Sequence, residues 1–193
     1  MDLGAGSGIF SRDLNKIGAH VIGIEPSKEL IQEAMLMGKL AGVDAIQYVE
    51  AHAEDFKLQC TYPIITVVRA WHWFDRIKVI ENIKAHLEPN GHLLVINSIF
   101  KPDSKIARLT FEVLMDNNIE LKPSGSNVDT KDRRNGFPVN WFDEWKNNSF
   151  LVVDEWQHEY ELKFTHEQWC GKLRSISWLA NIEEETRITF FLH

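Results

Sequence analysis

The N-terminal half of the chain alternates between short apolar runs and amphipathic stretches, and this alternation is the feature that most constrains the fold. Phe10, Leu14 and Ile17 recur at i, i+4 and i+7, which is the spacing of one helix face. The run "HVIGIE" at 20–25 is typical of a buried strand, and "PIITVVRA" at 63–70 is as apolar as a strand covered on both faces. Strands and helices that alternate with short connections predict an α/β fold with a Rossmann-like, mostly parallel sheet and helices on both faces.

Further elements follow to the end of the chain. Ser27 and Asp75 are residue types that cap helix N-termini, and an amphipathic stretch follows each of them. Strands are predicted at 46–51 and 92–96, a long strand at 150–164, and helices at 104–118, 140–148 and 166–182. Residues 119–139 are polar and rich in turn formers, which is typical of a mobile loop or an active-site cover.

The stretch "DLGAGSGIF" at 2–10 carries glycines at positions 4, 6 and 8. Glycines let the backbone turn sharply and approach a ligand, and the following helix offers free N–H groups at its start. A dinucleotide fingerprint needs a third glycine where Ile9 stands, and the register from Gly6 fails at Ser11. A phosphate loop is excluded because no Gly-Lys-Ser/Thr follows. The stretch therefore predicts a ligand-binding turn of another kind.

At these residues the chain resembles the class I S-adenosylmethionine-dependent methyltransferases, whose first motif is an acid followed by alternating glycines. The resemblance covers residues 2–100 and implies S-adenosylmethionine as cofactor. Transferred by position, the cofactor contacts are Asp2, Gly4, Ala5, Gly6 and Gly8 in the loop, Glu25 and Pro26 after the second strand, Ala53, Glu54 and Asp55 after the third, and Ala70 after the fourth.

The resemblance also assigns roles to the acids. Glu25 would hold the ribose, because a carboxylate can accept hydrogen bonds from both hydroxyls of a diol. Glu54 or Asp55 would accept from the adenine amine, with Ala53 or Phe56 lining the ring. Alone, Glu25 could be a solvated strand-end acid and Asp55 a helix cap. Together, features in this order at successive strand ends predict a ligand at the carboxyl edge of the sheet.

Two further stretches, "RAWHWFD" at 69–75 and "KLRSISW" at 172–178, resemble a small-molecule subgroup of the trans-aconitate methyltransferase type. This implies methyl transfer to a small molecule, with a carboxylate or hydroxyl oxygen favoured as acceptor. His72 is the predicted catalytic base for a hydroxyl, and its alternative is a hydrogen bond to the cofactor or backbone. The predicted substrate contacts are Trp71, Trp73 and Trp178 as an apolar wall, and Arg174, Ser175 and Ser177 as groups that orient a carboxylate.

Residues 1–100 are thus predicted to form the cofactor-binding core, and residues 101–193 to form a substrate-covering segment with a C-terminal strand and helix of the same domain. Three residues before the first glycine cannot make a normal strand of about 5–6 residues. We therefore expect a truncated first strand in a family member that is shortened at both ends, with a homodimer partner or a shift of other elements covering the shortened sheet. The alternatives are a catalytically impaired protein that keeps the fold and a nicotinamide enzyme.

Composition restricts the partners. The net charge is -7 and no basic block stands out, which argues against nucleic acid. Two cysteines favour a reducing, cytoplasmic setting, and no apolar stretch reaches the roughly 20 residues of a membrane span. His52 and Glu54 imitate an H-x-E spacing, but no P-C-x-x-C follows, so no metal site is predicted.

Overall fold

The computed structural model describes residues 1–43, 45–101, 103–117 and 132–175. The strands are β1 (Asp2–Leu3), β2 (Ile22–Glu25), β3 (Gln47–Glu50), β4 (Tyr62–Val68), β5 (Leu87–Ile96), β6 (Arg133–Arg134) and β7 (Phe137–Pro138). The helices are α1 (Ile9–Lys16), α2 (Lys28–Leu40), α3 (Arg76–His86), α4 (Lys105–Asp116), α5 (Val139–Asn147) and α6 (His166–Arg174), with a 3₁₀ turn at Trp71–Trp73. They form two compact units, one of residues 1–98 with 140–151, the other of the described residues of 99–139 and 152–193. The functional division at residue 100 stays a prediction.

A five-stranded sheet of order β3-β2-β1-β4-β5 forms the centre of the first unit, and every neighbouring pair is parallel. The predicted α/β fold is therefore confirmed. From β1 the chain adds β2 and β3 on one side of the sheet, and it then returns to add β4 and β5 on the other side of β1. Because such crossovers are right-handed, α1 and α2 cover one face and α3 covers the other. The reversal between β1 and β4 is a topological switch point, where open α/β sheets bind ligands.

The first strand is only two residues long, as predicted, yet it pairs on both sides. Asp2 is in register with Gly23 of β2 and with Thr66 of β4. Leu3 is fully buried, as is Ile24 beside it. The short β1 thus holds both halves of the sheet together directly below the glycine loop. The homodimer partner expected beside it stays a prediction.

Helix α5 comes late in the chain but belongs to the first unit, where its side chains contact the segment that follows β4. The Arg76 guanidinium donates to both carboxylate oxygens of Glu144, at 2.6 and 2.7 Å, and lies over the Trp141 ring at 5.6 Å. Trp145 packs on Trp71, with ring centroids 5.7 Å apart. Both ionic groups are largely buried, so this fork-shaped pair fixes α5 against the start of α3.

In the second unit, aromatic side chains gather around α6. Trp169 packs edge-on against Phe100 and Phe164, and its indole N–H donates to the Thr110 hydroxyl at 3.1 Å. Thr165 caps α6 in a reciprocal capping box with Gln168, so the helix predicted from residue 166 is confirmed through residue 174. Within the described ranges, no helix combines the length and the apolar character needed to cross a membrane.

The long strand predicted at 150–164, the C-terminal strand of the sequence analysis, requires a correction. Residues 151–165 form no ladder with any part of the chain that the structure describes. Alternating polarity predicts which side faces water, but a strand also needs a neighbour for its N–H and C=O groups. Here side chains provide the links instead, because Glu155 accepts from Arg134 and Asn135 of the β6–β7 hairpin.

Candidate functional site

The glycine loop turns directly over the end of β4. The N–H groups of Gly4 and Ala5 both donate to the Ile24 carbonyl, at 2.9 and 3.0 Å. Gly4 has φ +68°, and a Cβ there would lie 2.5 Å from the Ala70 Cβ. Glycine is therefore required at position 4 both by the turn and by the close approach of the two strand ends.

Gly8 and Gly6 meet different surroundings. Gly8 is the N-cap of α1 at φ +71°, and a Cβ there would run into the Tyr48 hydroxyl and lie 2.9 Å from the Ala34 Cβ. Gly6 has φ +57° and would meet nothing within 4 Å. The loop is thus packed against protein at Gly4 and Gly8 and open in its middle, which is where a ligand can approach.

Asp2 lies under this loop and is 1% exposed. Its carboxylate accepts from the Ser11 hydroxyl at 2.6 Å and from the Thr66 hydroxyl at 2.9 Å, and burial raises its pKa. Arg12 of α1, also buried, donates to the Ser7 carbonyl at 2.6 Å. Asp2 therefore ties β1, α1 and β4 together, and the loop rests on this polar cluster. A direct contact of Asp2 with a cofactor stays a prediction.

Glu25 ends β2 and reaches the loop. It is 7% exposed, and its two carboxylate oxygens accept from the Gly6 N–H at 2.9 Å and the Ser27 N–H at 3.0 Å. Each oxygen keeps a further acceptor position, since an ionised carboxylate offers about four. Pro26, the next residue, is exposed. Glu25 thus places an anionic acceptor beside the open part of the loop.

The turn after β3 contacts the segment after β4. Glu54 accepts from the Asp75 N–H at 2.9 Å, while Asp55 is exposed. Ala53 is buried, and its carbonyl accepts from the Asn82 amide of α3 at 3.1 Å. Of the two acids predicted for an adenine amine, the Asp55 carboxylate has no hydrogen-bond partner among the described residues, whereas one oxygen of Glu54 already accepts from the backbone at the start of α3.

The two tryptophans predicted as substrate contacts in the segment after β4 differ in their exposure to solvent. Ala70 is buried against Gly4, and Trp71 is 2% exposed in the packing against Trp145. Trp73 is 55% exposed and lies beside the half-buried His72, with ring centroids 4.8 Å apart. Trp73 is therefore the tryptophan of this segment that has a face open to a ligand. Burial and the nearby positive charge of Arg69 lower the pKa of His72.

The remaining predicted substrate contacts lie elsewhere in the chain. Arg174 ends α6 in the second unit, and Ser175 follows it as the C-cap, donating from its hydroxyl to the Lys172 carbonyl at 2.7 Å. Ser177 and Trp178 lie outside the described residues. These four assignments stay predictions.

Sequence reasoning missed three residues that shape this edge. Asn82 bonds the carbonyls of Ala53 and Phe56, and Tyr48 fills the space that Gly8 and Gly23 leave. Asn82 lies in a stretch whose pattern predicts a helix, and Tyr48 lies in one that predicts a strand. Neither pattern indicates a role at the site. Arg69 adopts φ +57°, an uncommon conformation for a residue other than glycine. Its only sequence signal is a cation at the end of an apolar run.

Taken together, a doubly wound parallel sheet carries a glycine loop, a buried acid and a histidine at its switch point. This arrangement defines the class of α/β domains that bind a nucleotide-like ligand at the carboxyl edge of the sheet. Residues 1–95 match the family model described as a methyltransferase domain. About half of the chain is therefore similar to methyltransferase domains.

Curated proteins with similar sequences include several methyltransferases. A ubiquinone biosynthesis O-methyltransferase of Vibrio campbellii is 31% identical over 96 residues, which are 48% of this chain and 40% of that protein. A putative methyltransferase of Dictyostelium discoideum is 35% identical over 96 residues, 49% of this chain and 34% of that protein. A ubiquinone biosynthesis O-methyltransferase of Erwinia tasmaniensis is 30% identical over 148 residues, 75% of this chain and 59% of that protein. The chain thus spans between a third and three fifths of the length of these relatives.

Solved structures include similar backbones. An S-adenosylmethionine-dependent methyltransferase from Clostridium acetobutylicum superposes with a TM-score of 0.46 and 19% identity, over 50% of this chain and 42% of that chain. A Pyrococcus horikoshii protein superposes with a TM-score of 0.47 and 21% identity, over 50% of this chain and 47% of that chain.

Proposed function

We propose that this protein is an S-adenosylmethionine-dependent methyltransferase that acts on a small molecule, with a carboxylate or hydroxyl oxygen as acceptor, in a reducing, cytoplasmic setting. The observation that carries the proposal is the pairing of the open loop position Gly6 with the buried carboxylate of Glu25, 2.9 Å from its N–H. The matching family model and the O-methyltransferases among the relatives support the same activity.

The described residues fit an adenosyl ligand by their chemistry. Glu25 offers the acceptor positions that a ribose diol needs, and the space over Gly6 would hold the ligand backbone close to the loop. Asp55 would accept from the adenine amine, with Ala53 against the ring. Ala70 keeps the end of β4 close to the loop, so the groups after β4 would flank the reacting centre.

When bound, S-adenosylmethionine supplies a methyl group already activated on a sulfonium. The protein then has to hold the acceptor in line and exclude water, and positioning of this kind is worth roughly 7–11 kcal/mol. Trp73 would provide an apolar wall, and Arg174, Ser175, Ser177 and Trp178 stay the proposed contacts to the substrate from the second half of the chain.

Calorimetric titration with S-adenosylhomocysteine tests the cofactor. We expect saturable 1:1 binding in the micromolar range, and the same titration with NAD should release no heat of binding. Absence of S-adenosylhomocysteine binding at high micromolar concentration would favour a protein that keeps the fold without the activity. Binding of NAD instead would make this a nicotinamide enzyme.

The pH profile tests His72 as a base. Because its pKa lies below the usual 6.5, the imidazole is neutral at pH 7 and can accept a proton from a hydroxyl acceptor. For such an acceptor, kcat/KM is level above pH 7 and falls only as the pH drops below about 6.5. His72→Gln should remove this fall and leave the S-adenosylhomocysteine affinity unchanged. A fall that persists in His72→Gln would assign the titration to another group.

A further inference from the structure

Arg69 occupies an unusual position at the edge of the sheet. It follows β4 directly and lies next to Ala70, whose Cβ packs against Gly4 of the loop. Its backbone has φ +57°, and its N–H donates to the Ile96 carbonyl of β5 at 2.8 Å. Residues held in this left-handed conformation without being glycine cluster at ligand-binding and active sites. The main chain of Arg69 is therefore fixed at the switch point in a conformation that its side chain disfavours.

The charge of Arg69 has no counterion within the described parts of the chain. Its side chain is exposed, and none of the ion pairs among the described residues includes it. Of the acids in the neighbouring turns, Glu54 accepts from the Asp75 N–H and Asp75 pairs with Lys78, while Asp55 forms no ion pair with Arg69 among the described residues. Together with burial, the positive charge of Arg69 lowers the pKa of the His72 imidazole.

We propose that Arg69 is a specificity-determining residue that binds an anionic group of the acceptor molecule, so that the substrate is a small carboxylic acid. This rests on the proposed methyltransferase function. It applies equally to a carboxylate acceptor and to a hydroxyl acceptor on an acid, because it concerns the charge that holds the substrate.

Three physical arguments support this assignment. A guanidinium presents a planar fork that matches a carboxylate with two parallel hydrogen bonds. A chain of net charge -7 repels anions overall, so an anionic substrate needs a local cation at the site. Any glycine at position 69 would adopt φ +57° without strain, yet the sequence places a long cationic side chain there.

The test measures binding to the complex with S-adenosylhomocysteine, so that failure of the cofactor site shows separately. Acid and amide pairs serve as probes: benzoate and benzamide, succinate and succinamide, propane-1,2,3-tricarboxylate and its triamide. We expect at least one acid to bind more than 10-fold tighter than its amide. Arg69→Gln should remove this preference, and Arg69→Lys should restore part of it because it keeps the charge but not the fork.

Two further variants separate substrate binding from structure and from general electrostatics. Arg69→Gly should lose the acid preference as Arg69→Gln does, yet unfold at the same or a higher urea concentration, because glycine tolerates the backbone conformation. Lys84→Gln removes one exposed charge from the far end of α3 and should leave every affinity unchanged.

The outcomes are distinct. If the wild-type protein does not bind S-adenosylhomocysteine, the proposed function is overturned. With that binding intact, the Arg69 proposal is overturned if no acid binds better than its amide, or if Arg69→Gln keeps the preference of the wild-type protein.

Discussion

Replacing Gly4 by alanine is expected to lower the affinity for S-adenosylhomocysteine by at least about 30-fold and to destabilise the fold by about 2–4 kcal/mol. The new Cβ would lie 2.5 Å from the Ala70 Cβ and 3.3 Å from the Phe74 ring, so the loop and the end of β4 must move apart. The left-handed backbone at φ +68° adds about 1–2 kcal/mol for a residue with a side chain. Calorimetric titration and urea unfolding measure the two effects.

Gly42→Ala is the matched control. Gly42 has φ +66°, almost the same as Gly4, but an added Cβ would meet nothing within 4 Å. Gly42→Ala therefore carries the conformational cost alone, about 1–2 kcal/mol, and should leave ligand affinity unchanged. Equal destabilisation of the two variants would mean that Ala70 does not press on the loop. Unchanged affinity in Gly4→Ala would separate the loop from the binding site.

The sequence allowed prediction of those features that depend on local chemistry. Ser27 caps α2 by accepting from the Leu30 N–H, and Asp75 caps α3 by accepting from the Lys78 N–H, as their residue types predict. Apolar runs predicted β2 and β4 within two residues of their bounds, because parallel strands buried on both faces leave a clear composition. The three glycines of the loop adopt positive φ, as the predicted sharp turn requires, because this conformation restricts the residue type.

Features that depend on contacts between distant residues could not be predicted in this way. Trp71 and Trp73 stand two positions apart in one motif, yet the first packs against Trp145 and the second is exposed. That difference arises from α5, which joins the first unit from more than sixty residues away. The backbone hydrogen bond that occupies Glu54 similarly depends on where α3 begins.

Glu25→Gln is the second large expected effect, a loss of roughly 10- to 150-fold in the affinity for S-adenosylhomocysteine. The amide keeps one acceptor oxygen where the carboxylate has two, and its NH₂ group would face either the Gly6 or the Ser27 N–H. A hydrogen bond to a charged group contributes about 1.5–3 kcal/mol, and the ribose would lose one such bond. Glu50→Gln is the control, because Glu50 is in register with Glu25 on β3 but is exposed.

A ligand that lacks the diol shows whether Glu25 contacts the ribose or only supports the loop. The wild-type protein should bind the 2′,3′-dideoxy analogue of S-adenosylhomocysteine at least 10-fold more weakly than the parent compound. If Glu25 accepts from the hydroxyls, the two losses are not additive, and Glu25→Gln binds both ligands with similar affinity. If instead Glu25→Gln still prefers the diol as strongly as the wild-type protein does, the carboxylate acts through Gly6 and Ser27 alone. The ribose must then be held by other groups, because a substitution changes the preference for the diol only when the substituted side chain contacts the hydroxyls.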